Sequence, residues 1–155
     1  MKIPHTNMPL VSTHLLACSY PPGIISWVYP EIDLVLPKHV LNAYDHLWFH
    51  PDQISPDTDS RPTGHEIRRM LTKEDLIHRC FDFRTLVHLE ENPNLIPYEW
   101  VSLGVLALAW KSIAYNTDGD ICVPHLNCRG KIPVIRWRPL AFRMNGAEAT
   151  PLKIF

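Results

Sequence analysis

Cys122, His125 and Cys128 stand at three-residue intervals in CVPHLNCRGK, with Arg129 and Gly130 directly behind. Thiolate and imidazole are the usual ligands of tetrahedral zinc, so the trio plus a distant fourth ligand would make a metal centre. Cys18, Cys80 or another histidine could supply that fourth position. The same stretch also reads as strand, turn and strand. Side chains alternate across a strand, which sends Cys122 to one face and His125 to the other, and a shared ion then fails. A zinc knuckle would also bring a second close cysteine pair, which the chain lacks. The expectation is a hairpin with the Cys128 thiol near its tip and no cofactor, with zinc as the alternative.

Arg129, Lys131, Arg136 and Arg138 crowd the same hairpin around Trp137. Arginine and tryptophan are enriched at interface hot spots, so these five residues are the predicted contact surface. In a strand Arg136 and Arg138 share one face and Trp137 takes the other. The expected partner is another protein or a second copy of this chain. A nucleic acid held by its phosphates is a further alternative.

Other candidates are weaker. Arg61, Arg68, Arg69, Lys73 and Arg79 surround a possible helix-turn-helix between Gly64 and Glu91, but Glu66, Glu74, Asp75 and Asp82 offset them. His39, His46 and His50 would line one side of a helix persisting to His50, and read as a solvated polar face. Asp57–Asp59 and Asn116–Asp120 resemble calcium loops without the glycine and glutamate that an EF-hand needs, and read as turns. Arg79 could activate the Cys80 thiol, yet Cys80 falls on an apolar helical stripe, where cysteine acts as a small hydrophobe. G-x-S-x-G, H-E-x-x-H and phosphate-loop motifs are missing. The reading leans away from an enzyme and toward a small interaction or regulatory protein.

The elements that would position the hairpin fall into three zones. Ile24–Tyr29 and Glu31–Leu36 are β-branched and aromatic between prolines, which predicts two short strands. Val40, Leu41, Tyr44, Leu47 and Trp48 follow helical spacing after Pro37. Residues 51–62 read as a polar linker. Thr63 and Glu66 have capping-box spacing and open a helix to about Leu71; Thr72 is expected to cap a longer one from Lys73 to about Glu91, with Leu76, Cys80, Phe83 and Val87 as its stripe. From Val101 to Tyr115 periodicity does not separate helix from strand; a helical start at Tyr98–Leu103 followed by a strand from Val105 is favoured. Asn116–Gly119 and Asn127–Gly130 both carry Asn first and Gly fourth, the pattern of a hairpin turn with a left-handed glycine. They predict a meander of Val105–Tyr115, Asp120–Leu126 and Lys131–Arg138, and a peripheral tail over 143–155.

The fold class expected is α+β in a single domain over 1–155, with N-terminal strands, a middle block of two or three helices and a C-terminal three-stranded antiparallel meander. A length of 155 residues supports one core, and an apolar share of 46% is that of a folding chain. The net charge of -1 gives no whole-molecule field toward polyanions. Polar residues and prolines interrupt Met1–Ser19, so no export signal is expected there. No apolar run is long enough to span a bilayer. Four cysteines in this length do not read as a disulfide scaffold, which points to the cytoplasm.

Overall fold

A computed structural model describes residues 23–30 and 47–153. Within them lie strands β1 (Ile24–Pro30), β2 (Leu47–Trp48), β3 (Leu106–Leu108), β4 (Ser112–Asn116), β5 (Ile121–Asn127), β6 (Val134–Pro139) and β7 (Glu148–Pro151). Helices α1 (Gly64–Lys73), α2 (Phe83–Glu91) and α3 (Tyr98–Ser102) complete the α+β arrangement. The predicted strand Glu31–Leu36, His39, His46 and most of the predicted helix after Pro37 lie outside the described residues.

The expected meander forms, with β5 at its centre. β6 runs antiparallel along one edge of β5, while β4 and β3 lie end to end along the other, pairing Ala114 with Cys122 and Leu108 with His125. The strand predicted over Val105–Tyr115 is thus two strands, because the chain turns at Trp110–Lys111. β1 pairs with β4, and β7 adds in parallel to β3, so the sheet is mixed. β7 corrects the expectation of a peripheral tail: all four of its residues are buried. Its small Ala149 and Thr150 fit between neighbouring strands without a large apolar side chain to announce them.

Strand alternation sorts the core into two faces. Ala107, Leu126 and Ala149 pack with Leu86 and Leu89 of α2 and with Trp100 of α3. Leu108, Val123 and Ile113 point the other way and pack with Ile67 and Leu71 of α1, Leu140 and Met144. Each fully buried aliphatic side chain of this kind contributes about 1.5–3 kcal/mol relative to exposure. Since α1 and α2 cover opposite faces, they do not form a helix-turn-helix.

Local chemistry sets the helix ends. The Thr63 hydroxyl accepts from the Glu66 amide at 3.3 Å, as the capping-box spacing predicts. The predicted helix over Lys73–Glu91 is broken. α1 ends with Asp75 at φ 57, where the Leu76 amide donates back to the Leu71 carbonyl and that of Asp75 to Thr72, a Schellman closure. The Asp82 carboxylate then caps α2 by accepting from the Thr85 amide at 2.8 Å. This shifts the buried stripe from Phe83 and Val87 to Phe83, Leu86 and Leu89. Thr72 caps nothing here: its hydroxyl donates to the Arg68 carbonyl. Leu47 and Trp48, predicted to be helical, are extended and pair with Pro151 and Thr150.

Candidate functional site

β5 is buried on both faces, as the central strand of a covered sheet must be, whereas β6 is an edge with alternating exposure. A bare edge invites pairing with other chains. Here the Glu90 carboxylate of α2 accepts from the Ile135 amide at 3.0 Å, and Pro139 has no amide to offer. These groups blunt the edge, so the side chains of β6 are its available chemistry.

Register places those side chains. Arg136 lies opposite His125 and Arg138 opposite Val123, on the α1 face of the sheet. Trp137 lies opposite Pro124 on the other face, where its ring stacks on Phe83 with centroids 5.6 Å apart. The five predicted contact residues are therefore divided. Arg136 is exposed beside the half-buried Arg138; Arg129 and Lys131 are exposed in the loop joining β5 to β6; Trp137 is half-buried beneath α2.

A buried polar network underlies the arginines. Arg138 Nε lies 2.5 Å from Oε2 of Glu148, an ion pair reaching from β6 across β5 and β3 to β7. The Glu148 side chain is completely buried and that of Arg138 is 27% exposed. Burial raises the Glu148 pKa, while Arg138, the Asn145 amide and Arg129 pull it back. Asn145 donates to Oε1 of Glu148 at 3.1 Å. Nη2 of Arg138 donates to the Arg143 carbonyl, and its guanidinium carbon sits 5.6 Å from the centre of the exposed Phe142 ring. His125, 7% exposed, is held neutral: burial, then Arg138, Arg136 and Arg129, push its pKa down to about 4. Its Nδ1 is buried with no hydrogen-bond partner among the described residues.

The zinc alternative meets the same geometry. His125 pairs with Leu108 on the α1 face, and alternation puts Cys122 on the other. Cys122 and Cys128 end a span of six residues, about 20 Å at strand rise. The structure does not bring the trio together, and among the described residues no group of three His, Cys, Asp or Glu side chains is placed to hold an ion. Cys128 also departs from the expected loop tip: it is buried in the core beside Leu126. Burial pushes its thiol up to about 12, and burial with Asp120 and Asp118 pushes that of Cys122 up to about 11. Both shifts run opposite to those of an activated nucleophile.

Other sequence candidates resolve into structure. Instead of joining a solvated face, His50 is buried: its Nδ1 accepts from the Asp52 amide and its ring meets Trp48 edge-on. Within the supposed linker, buried Gln53 accepts from the His50 amide and donates to the carbonyls of Asn145 and Glu148. Asn116–Asp120 forms a turn, as expected, its Asn116 side chain accepting from the amides of Asp118 and Asp120; Asp57 instead caps a single-turn 3-10 helix over Thr58–Ser60, its carboxylate accepting from the Asp59 amide. Sequence reasoning missed Gln53 and Glu148. Their one signal was polarity without helical or strand periodicity, which ordinarily marks solvent-exposed loops.

Among the described residues no helix is long and apolar enough to cross a membrane. Compared with protein-family models, with curated proteins and with solved structures, the chain matches none.

Proposed function

We propose that this chain is a small protein-interaction module that holds an acidic stretch of a partner protein on the α1 face of its β5–β6 hairpin. The observation that carries the reading is a charge imbalance. Arg136 lies opposite His125 and Arg138 opposite Val123 on that face, while the acid beside them, Glu148, is buried and already engaged by Arg138. Arg129 and Arg136 therefore present positive charge to solvent, and Arg129 is held by its own bond from Nε to the Gly104 carbonyl at 3.1 Å. Guanidinium groups suit carboxylates because their planar fork of donors matches the anion.

A protein partner is favoured over a nucleic acid because Trp137, which could stack on bases, faces away from the arginines against Phe83. The reading includes a reducing cytoplasmic setting, which suits Cys80, Cys122 and Cys128 as buried thiols. Fluorescence anisotropy against a labelled twelve-residue glutamate peptide tests it, with a single-stranded oligonucleotide of equal charge alongside. The expected result is salt-sensitive peptide binding that falls at least tenfold in an Arg129→Glu, Arg136→Glu double variant. Tighter binding of the oligonucleotide, lost in the same variant, would transfer the surface to nucleic acid.

A further inference from the structure

Beside the arginines the hairpin loop leans over a short apolar groove. Pro93, Ile96 and Val101 form one wall, and Cys128, Lys131 and Pro133 form the other, around a volume of about 100 Å³. Apolar surface continues out of it. Val101 is 43% exposed, Tyr98 one helical turn before it 78%, and Ile132 at the loop apex 74%. Several large apolar side chains gathered at one end of a sheet mark an interaction surface more often than a monomer's ordinary exterior.

Charge decides what suits it. The groove lining contains Lys131 and no carboxylate. Arg129 stands between groove and arginine face, its stem against Gly104 directly after exposed Leu103. The nearby exposed acids are Glu99, in the first turn of α3, and Glu91, at the end of α2 two residues before Pro93, while the Glu90 carboxylate is engaged by the Ile135 amide. We infer that the groove takes one branched aliphatic side chain, leucine or isoleucine, from within the acidic stretch of the partner protein. The inference rests on the proposed function and adds an anchor to it. In an extended peptide, residues two positions either side of the anchor lie about 7 Å away along the chain. Glutamates there reach Lys131 on one side and Arg129 on the other.

The test uses two fluorescein-labelled peptides, glutamates around a central leucine and the same with alanine, titrated into the full chain. The leucine peptide should bind roughly tenfold more tightly. Val101→Asp and Lys131→Glu should each abolish that preference. Arg69→Glu changes an exposed arginine that lines a separate groove beside α1 and should leave it intact. Circular dichroism and thermal melts establish that each variant folds. Equal binding of both peptides, still lost in the double-arginine variant, overturns the anchor and leaves the acidic reading standing. Binding of neither peptide overturns both. A concentration-dependent dimer disrupted by Val101→Asp, without peptide binding, assigns the groove to a second copy of the chain and overturns the peptide anchor.

Discussion

On the side covered by α2 and α3, the sheet presents Ala107, Leu126 and Ala149, and Leu86, Leu89 and Trp100 close over them as hydrocarbon. On the α1 side the same strands present Leu108 and Val123, yet His125, Glu148 and Thr150 are buried among them. The first face is held mainly by area removed from water, its buried Asp82 and Ser112 accepting from backbone amides at the start of α2. The other also depends on specific partners, because a buried charge or amide without its complement costs several kcal/mol. The arginines proposed to bind a partner stand over the second face, where the buried Glu148 carboxylate holds Arg138.

Removing the ion pair from either end measures this dependence. Arg138→Met leaves a fully buried carboxylate without its counter-ion and should cost about 3–5 kcal/mol at pH 8 in chemical denaturation. Glu148→Gln should cost less, since Arg138 is 27% exposed and can turn toward water. Burial raises the Glu148 pKa, so protonation relieves the lone carboxylate and the Arg138→Met deficit should shrink at pH 5. Leu86→Ala, on the hydrocarbon face, should lose about 2–5 kcal/mol and the same amount at both pH values. A pH-independent Arg138→Met deficit would show that Glu148 is solvated.

His125 sharpens the contrast. Its folded pKa of about 4 lies below the ordinary 6.5, so on acidification the unfolded chain takes up the proton first. The stabilisation is complete above pH 6.5 and is lost as pH falls toward 4, by at most about 3 kcal/mol. Raised Glu148 acts in the opposite sense over part of this range, so the informative quantity is the difference between the parent chain and His125→Gln. The variant should lack the decline due to His125. Parallel pH profiles would mean that His125 is not held neutral.

A smaller difference separates two buried tryptophans. Trp110 Nε1 donates to the Thr150 hydroxyl at 2.9 Å on the α1 face, whereas Trp100 Nε1 has no partner among the described residues. Phenylalanine leaves a similar void at either site, but only at position 110 does it strip a hydrogen bond. Trp110→Phe should therefore be more destabilising than Trp100→Phe by about 1 kcal/mol. Equal melting shifts would place a water or another acceptor on Trp100.

Local signals were legible in the sequence where local bonds decide the outcome. Thr63 caps α1, Ile24–Pro30 is a strand, and alternation separated Cys122 from His125 and Trp137 from its arginines. What was hidden depends on distant partners or uncommon backbone. Glu148 becomes core through Arg138 on another strand, and β7 through strands on both sides. The break after α1 uses Asp75 in the left-handed region, where glycine would have announced it. The candidate surface was legible as a basic hairpin; its division between faces followed from alternation, while the groove depends on α3 packing beside the loop.

The two Asn-x-x-Gly turns give the smallest test. Gly119 has φ 82 and its amide donates to the Asn116 carbonyl, so the first follows its pattern. The second does not: Gly130 is outside the left-handed region, and the loop runs on until β6 begins at Val134. Two bonds compete with the tight turn. The Cys128 amide donates to the Val105 carbonyl as its side chain enters the core, and Asn127 turns its side chain to the Arg129 amide. Pro133 then has no amide for a ladder, which delays the strand. A methyl group at either glycine meets ordinary contacts or open space, so backbone alone sets the outcome. Gly119→Ala should cost about 1–2 kcal/mol. Gly130→Ala should gain roughly 0.5 kcal/mol by restricting the unfolded chain. Equal losses in thermal melts would return Gly130 to the turn that its sequence spells.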